Sequence, residues 1–160
     1  MRPALLALAF ALPLPLFRGG QGDRTDPAAW QSLLAAFEER GWAVISNHPR
    51  CREANLYGLY VRGNRQVVIC PRGDQSSTLR HEGWHAIQSL CLRDRPWLST
   101  EQIAQQLSQS DRIELQALVM PDRWQREAEA RVMAGLKPNV YLQELERACS
   151  KHSRPLIPKL

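Results

Sequence analysis

From Asp26 onward, apolar positions recur with two different periods. Trp30, Leu33, Leu34 and Phe37 fall at helical spacing after Asp26-Pro27, an N-cap followed by a first-turn proline, and Gly41 ends the run. Trp42 to Ile45 is β-prone, and Asn47-His48-Pro49 turns the chain. Leu56 to Val61 and Gln66 to Cys70 read as two strands around a Gly63-Asn64 turn, and Pro71 to Asp74 reads as a loop. The remainder has helical periodicity. One helix is capped by Ser76 or Ser77 and runs to about Leu92, with Leu79, Gly83, Ala86 and Leu90 as its apolar stripe. Ser99-Thr100-Glu101-Gln102 is a capping-box signature. Pro121 and Pro138 stand where further helices would begin. The expected architecture is α+β: a small antiparallel sheet or hairpin, then a helical C-terminal half.

The first 20 residues break this pattern. Arg2 precedes an uncharged stretch from Pro3 to Phe17, and Arg18-Gly19-Gly20 follows. A basic start and a brief apolar run predict a secretory signal peptide, with an uncleaved N-terminal anchor as the alternative. Residues 21–160 then form a single domain, exported to a periplasmic, lumenal or secreted location. No uncharged run reaches the roughly 20 residues of a stable transmembrane span. The formal net charge of +5 falls to about +3 without Arg2 and Arg18, and the basic residues form no block, so nucleic acid is not expected as a partner.

Cys51, Cys70, Cys91 and Cys149 make an even count in a small exported domain, which suggests two disulfides. Four cysteines allow three pairings. Cys51 and Cys70 bracket the hairpin, and Cys91 and Cys149 end two helices, so Cys51–Cys70 with Cys91–Cys149 is the expected set. No C-x-x-C pair is present, which disfavours a four-cysteine zinc site.

The chemistry concentrates at His81-Glu82-Gly83-Trp84-His85, an H-E-x-x-H pattern inside a predicted helix. A spacing of four residues puts both imidazoles on one face, within reach of one Zn²⁺ at about 2.0–2.1 Å. Glu82 lies about 100° round the helix, placed to act as a general base on a zinc-activated water. His81, His85 and Gln88 share a stripe. A third ligand is needed. His152 lies in a Pro-rich tail, and glycine and histidine at 88 and 91 would be required for the metzincin arrangement, where this chain has Gln88 and Cys91. The helix opened by Trp124 offers Glu127 and Glu129, about 200° apart. Periodicity favours Glu129 as the inward-facing one, because it shares a face with Val132, Met133 and Leu136.

His81-Glu82-x-x-His85 followed by Glu127-Ala128-Glu129-Ala130 resembles the minimal gluzincin-like zincins. It is also similar to short exported cyanobacterial proteins with a hairpin flanked by cysteines, a metal helix and a C-terminal helix ending in cysteine. The resemblance covers about residues 50–150. It implies a zincin-like fold, zinc as cofactor, and a glutamate that precedes alanine as third ligand. On that ground Glu127 completes the site, with Glu129 as a supporting partner or alternate ligand. It also implies an edge strand beside the metal helix, which would be Gln66 to Cys70, with a peptide or protein substrate laid along it. The chain departs from larger gluzincins in having Arg131 where an aspartate would follow Glu127 by four residues. The expected function is a zinc-dependent metallopeptidase-like hydrolase, with Glu82 as general base. The alternative is an exported zinc-stabilised binding domain without turnover. Tyr57, Tyr60, Tyr141 and His48 are candidates for stabilising the oxyanion.

Overall fold

A computed structural model describes residues 26–150. The leader and His152 lie outside the described residues. The chain runs α1 (Pro27–Glu38), β1 (Ala43–Ile45), a 3₁₀ turn (Pro49–Arg52), β2 (Gly58–Val61), β3 (Gln66–Ile69), α2 (Gln75–Leu90), α3 (Thr100–Gln106), α4 (Gln109–Leu118), α5 (Trp124–Ala134) and α6 (Pro138–Cys149). The class is α+β and mostly helical, as the pattern predicts.

The sheet differs from expectation. It is mixed, in the order β1-β3-β2, with β1 parallel to β3 and β2 antiparallel to it. Gln66–Ile69 is therefore the central strand and not the edge. The reason is burial on both faces: Val67, Val68 and Ile69 are all buried, whereas β2 beyond Gly58 is only half-buried. A continuous apolar run of this kind suits a strand covered on both sides.

Helix α2 packs across the sheet and is surrounded by α1, α5 and α6. Its N-cap is Asp74, not Ser76 or Ser77: the Asp74 carboxylate accepts the Ser77 backbone N–H at 2.9 Å. Ser76 is instead buried and accepts from the Arg80 guanidinium at 2.8 Å. The core face of α2 is also wider than the predicted stripe. Trp84 and Ile87 are fully buried, while Leu90 is exposed. Trp84 meets Tyr141 edge-on at 5.8 Å between ring centroids. The capping box at Ser99 and the first-turn Pro138 form as expected. Pro121 does not start a helix; it sits in a turn, and α5 begins at Trp124 without a side-chain cap.

Two glycines let α2 approach its neighbours. A Cβ on Gly83 would lie 2.1 Å from the Phe37 ring of α1, and a Cβ on Gly58 would lie 2.6 Å from Thr78 and 3.0 Å from Glu82. The first contact seats α1 on α2; the second brings the start of β2 against the metal-helix glutamate. Both disulfides adopt the expected pairing. Cys51–Cys70 ties the 3₁₀ turn to the end of β3, and Cys91–Cys149 joins the C-terminal ends of α2 and α6. They point to an oxidising environment outside the cytosol. No helix among the described residues is long and apolar enough to cross a membrane.

Gly83→Ala should lower stability by about 2 kcal/mol, because a Cβ 2.1 Å from a fully buried ring sits at the upper end of the roughly 1–3 kcal/mol that overpacking costs, and alanine's helix propensity returns only about 1. Denaturant unfolding would read this, and Phe37→Leu in the same chain should recover part of the loss. An unchanged midpoint for Gly83→Ala would show that α1 is not seated on that glycine.

Candidate metal centre

His81 and His85 project one turn apart from α2, with ring centroids 4.9 Å apart. Glu127, from the first turn of α5, reaches both. Its carboxylate oxygens lie 3.0 Å from His81 Nε2 and 3.2 Å from His85 Nε2. One ligand atom from each of the three residues falls within 4.8 Å of the others. Donors placed tetrahedrally at about 2.0–2.1 Å from one ion are about 3.3 Å apart, and the two Glu127–histidine separations are close to that, so this group could hold a metal ion. All three are half-buried, which leaves a side open to the cleft. Burial alone would push Glu127 up, but hydrogen bonds and charge from His81 and His85 outweigh it and hold the carboxyl well below its ordinary range. Burial would lower His85; the Glu127 hydrogen bond and charge, together with Gln88 and Glu82, turn the net direction upward.

Glu129 has a different task. It is 1% exposed and accepts four N–H bonds: Trp84 Nε1 at 2.8 Å, Gln88 Nε2 at 2.9 Å, and the Trp97 and Leu98 backbone amides at 2.8 and 2.9 Å. Periodicity rightly places it inward, but its lone pairs are taken by the protein. It connects to the centre through Gln88, whose Oε1 lies 2.8 Å from His85 Nδ1. A partner on the outer nitrogen of a ligating histidine fixes its tautomer and orientation. That partner on His85 is a glutamine on the same helix. Its place on the histidine stripe was the available signal.

Glu82 sits beside the triad, against Gly58. Burial is the largest influence on its carboxyl and raises it; the nearby His81 and His85 and the Tyr60 backbone N–H act the other way. The Tyr60 amide is available because of the strand register. Cys70 N–H donates to Tyr57 O, so by ladder alternation Leu59 and Val61 pair with β3 while Gly58 and Tyr60 point their N–H and C=O groups outward. The strand edge facing the metal helix is thus β2.

Two cavities flank Glu82. A cleft of about 830 Å³ is lined by β2, the metal triad and the first turn of α5. A smaller one of about 360 Å³ shares His81 and Glu82 and includes Tyr57 and Asp111. Among the oxyanion candidates, Tyr60 lines the larger cleft and Tyr57 the smaller. Tyr141 is buried and donates to the Arg80 carbonyl at 2.9 Å, and His48 caps the 3₁₀ turn. Arg131 pairs with Asp111 and Glu114 and so fastens α4 to α5.

Glu127→Ala should abolish zinc binding and leave the fold intact, whereas Glu129→Ala should cost about 3 kcal/mol or more by stranding buried donors. Zinc content and denaturant unfolding on both variants separate the two roles; the reverse pattern would exchange them. Gln88→Ala should weaken zinc about 10–100-fold. The pH dependence follows from which groups hold protons in the metal-free protein. His85 takes one up at a pH above the ordinary histidine value of 6.5, and zinc must displace it, so affinity falls as pH drops from there. Glu127, held low, stays ionised and adds no step in that range. Competition with a chromophoric chelator would measure this; a flat profile would remove His85 from the ligand set.

The chain matches no family model, no curated protein and no solved structure, so the reading of this centre rests on its own residues.

Proposed function

We propose that the protein is an exported zinc-dependent hydrolase of the metallopeptidase type, with a zincin-like arrangement and a peptide or protein substrate. The observation that supports this is the convergence of His81 and His85 from α2 with Glu127 from α5, while Glu82 stands outside the ligand set and lines the same cleft. A purely structural zinc site has no use for such a base. When bound, zinc supplies Lewis acidity and lowers the pKa of water.

The chain's own groups supply the rest. Glu82, raised by burial, is suited to take a proton from the attacking water and deliver it to the leaving amine as the carbon–nitrogen bond breaks. Gln88 holds His85 in orientation, and Glu129 holds Gln88. The outward C=O groups of Gly58 and Tyr60 and the Gly58 N–H offer an extended substrate the bonds of an added strand, on β2 and not on β3, while the Tyr60 N–H serves Glu82. Export follows from the leader reading of residues 1–20 and agrees with the two disulfides.

The first test is zinc per chain on residues 21–160, purified without a His-tag. Near one zinc in the wild type and near none in His85→Ala is the expected result. Glu82→Gln should keep the metal and lose hydrolysis of a mixed peptide library by at least about a hundredfold. Zinc retained with no cleavage by the wild type would leave the zinc-stabilised binding domain. No zinc in folded wild-type protein would end both readings.

A further inference from the structure

The metal cleft has a basic end. Apart from the triad, Glu82 and the fully hydrogen-bonded Glu129, its charged lining is Arg62, Arg95, Arg123 and Arg126 against Asp94 and Asp122. These charges are not equivalent. Asp94 is shared between Arg62 at 2.6 Å and Arg126 at 2.7 Å, so it ties the end of β2 to the start of α5 across the cleft. The chain reaches this position through two consecutive left-handed residues, Arg93 at φ 54° and Asp94 at φ 58°, and the Asp94 N–H donates to the Gln88 carbonyl at 2.7 Å. Two non-glycine residues in that region are costly and persist where surrounding contacts hold them. Arg126 is further fixed by the His85 carbonyl at 3.1 Å and Ser89 Oγ at 3.0 Å.

Arg95 and Arg123, by contrast, have no ion-pair partner among the described residues, and both are exposed at this cleft. The first turn of α5 opens here with no side-chain acceptor on its amides, so the positive end of an eleven-residue helix adds to the guanidinium charge. The bridge lines the cleft at Arg62, which follows β2 directly and lies two residues past Tyr60, or roughly 7 Å along the strand direction. An extended chain bound along β2 over Glu82 would therefore bring a group about two residues from the scissile bond to the arginines.

We infer that this end of the cleft is a carboxylate subsite, formed by Arg95 and Arg123 beside the Arg62–Asp94–Arg126 bridge. The ligand is either an aspartate or glutamate side chain of the peptide or its terminal carboxylate. Arginine's planar fork matches both. This rests on the reading of the cleft as a peptide site.

The test is binding, measured without turnover. Fluorescently labelled alanine-based hexapeptides with one central phenylalanine would carry glutamate or glutamine at each position in turn. Each would be made with a free C-terminus and as the C-terminal amide. Anisotropy would be read on zinc-loaded Glu82→Gln protein with both disulfides intact, and again on zinc-free wild type. The expected result is about tenfold tighter binding, or about 1.4 kcal/mol, for the carboxylate form at one position. The glutamate series and the free-acid series show which source it is. Arg95→Gln with Arg123→Gln should bring that ratio close to one, and the paired lysine substitutions, which keep the charge and lose the fork, should retain only part of it. Equal affinity for all peptides overturns the inference, as does a preference that survives both glutamine substitutions. If the preference holds but zinc-loaded wild type cuts none of the peptides, the subsite stands and the peptidase reading falls. Cleavage with no carboxylate preference is the opposite case.

Discussion

The buried carboxylate of Glu129 is the constraint on which the rest is arranged. A carboxylate with almost no solvent exposure is tolerated only if its charge is answered on every side. Here four N–H donors come from α2 and from the turn before α3. They can meet it only if α5 has one rotation about its axis and α2 another. Helix packing by apolar contact alone tolerates some slip; a fourfold hydrogen-bonded anion does not.

The metal centre inherits that rigidity. Glu127 stands two residues before Glu129, so the rotation that buries Glu129 also sets Glu127 across from His81 and His85. The other side of α2 is fixed by absence of side chains. Gly83 lets the helix rest on Phe37, and Gly58 lets β2 close on Thr78 and Glu82. The His81–His85–Glu127 group, Glu82 and the strand edge are thus located by three separate contacts to one helix.

The parts of this that were legible in the sequence are those governed by local period. The H-E-x-x-H spacing needs only a helix to put two imidazoles together, and the helix was signalled by its own neighbours. The disulfide pairing followed from element ends. What failed was non-local. Whether Gln66–Ile69 is central or an edge depends on β1 pairing parallel to it from a distance, although its unbroken apolar run was a hint. Asp74 is the N-cap, and Ser76 is taken by Arg80, whose guanidinium is held by the Ala134 carbonyl at the end of α5. The choice between Glu127 and Glu129 was ambiguous because both face α2, one toward the histidines and one toward Trp84 and Gln88. Periodicity identifies an inward residue but not which neighbour it meets.

The disulfides have a consequence for the order in which the protein matures. Cys91–Cys149 closes a span of 58 residues and, by chain entropy, stabilises the fold by about 4 kcal/mol. Cys51–Cys70 secures the hairpin at the opposite side of α2. His81, His85 and Glu127 take no part in either bridge, and the apolar core is continuous without an ion. Cysteine oxidation can therefore be completed, and the fold closed, independently of any ion that those three residues hold.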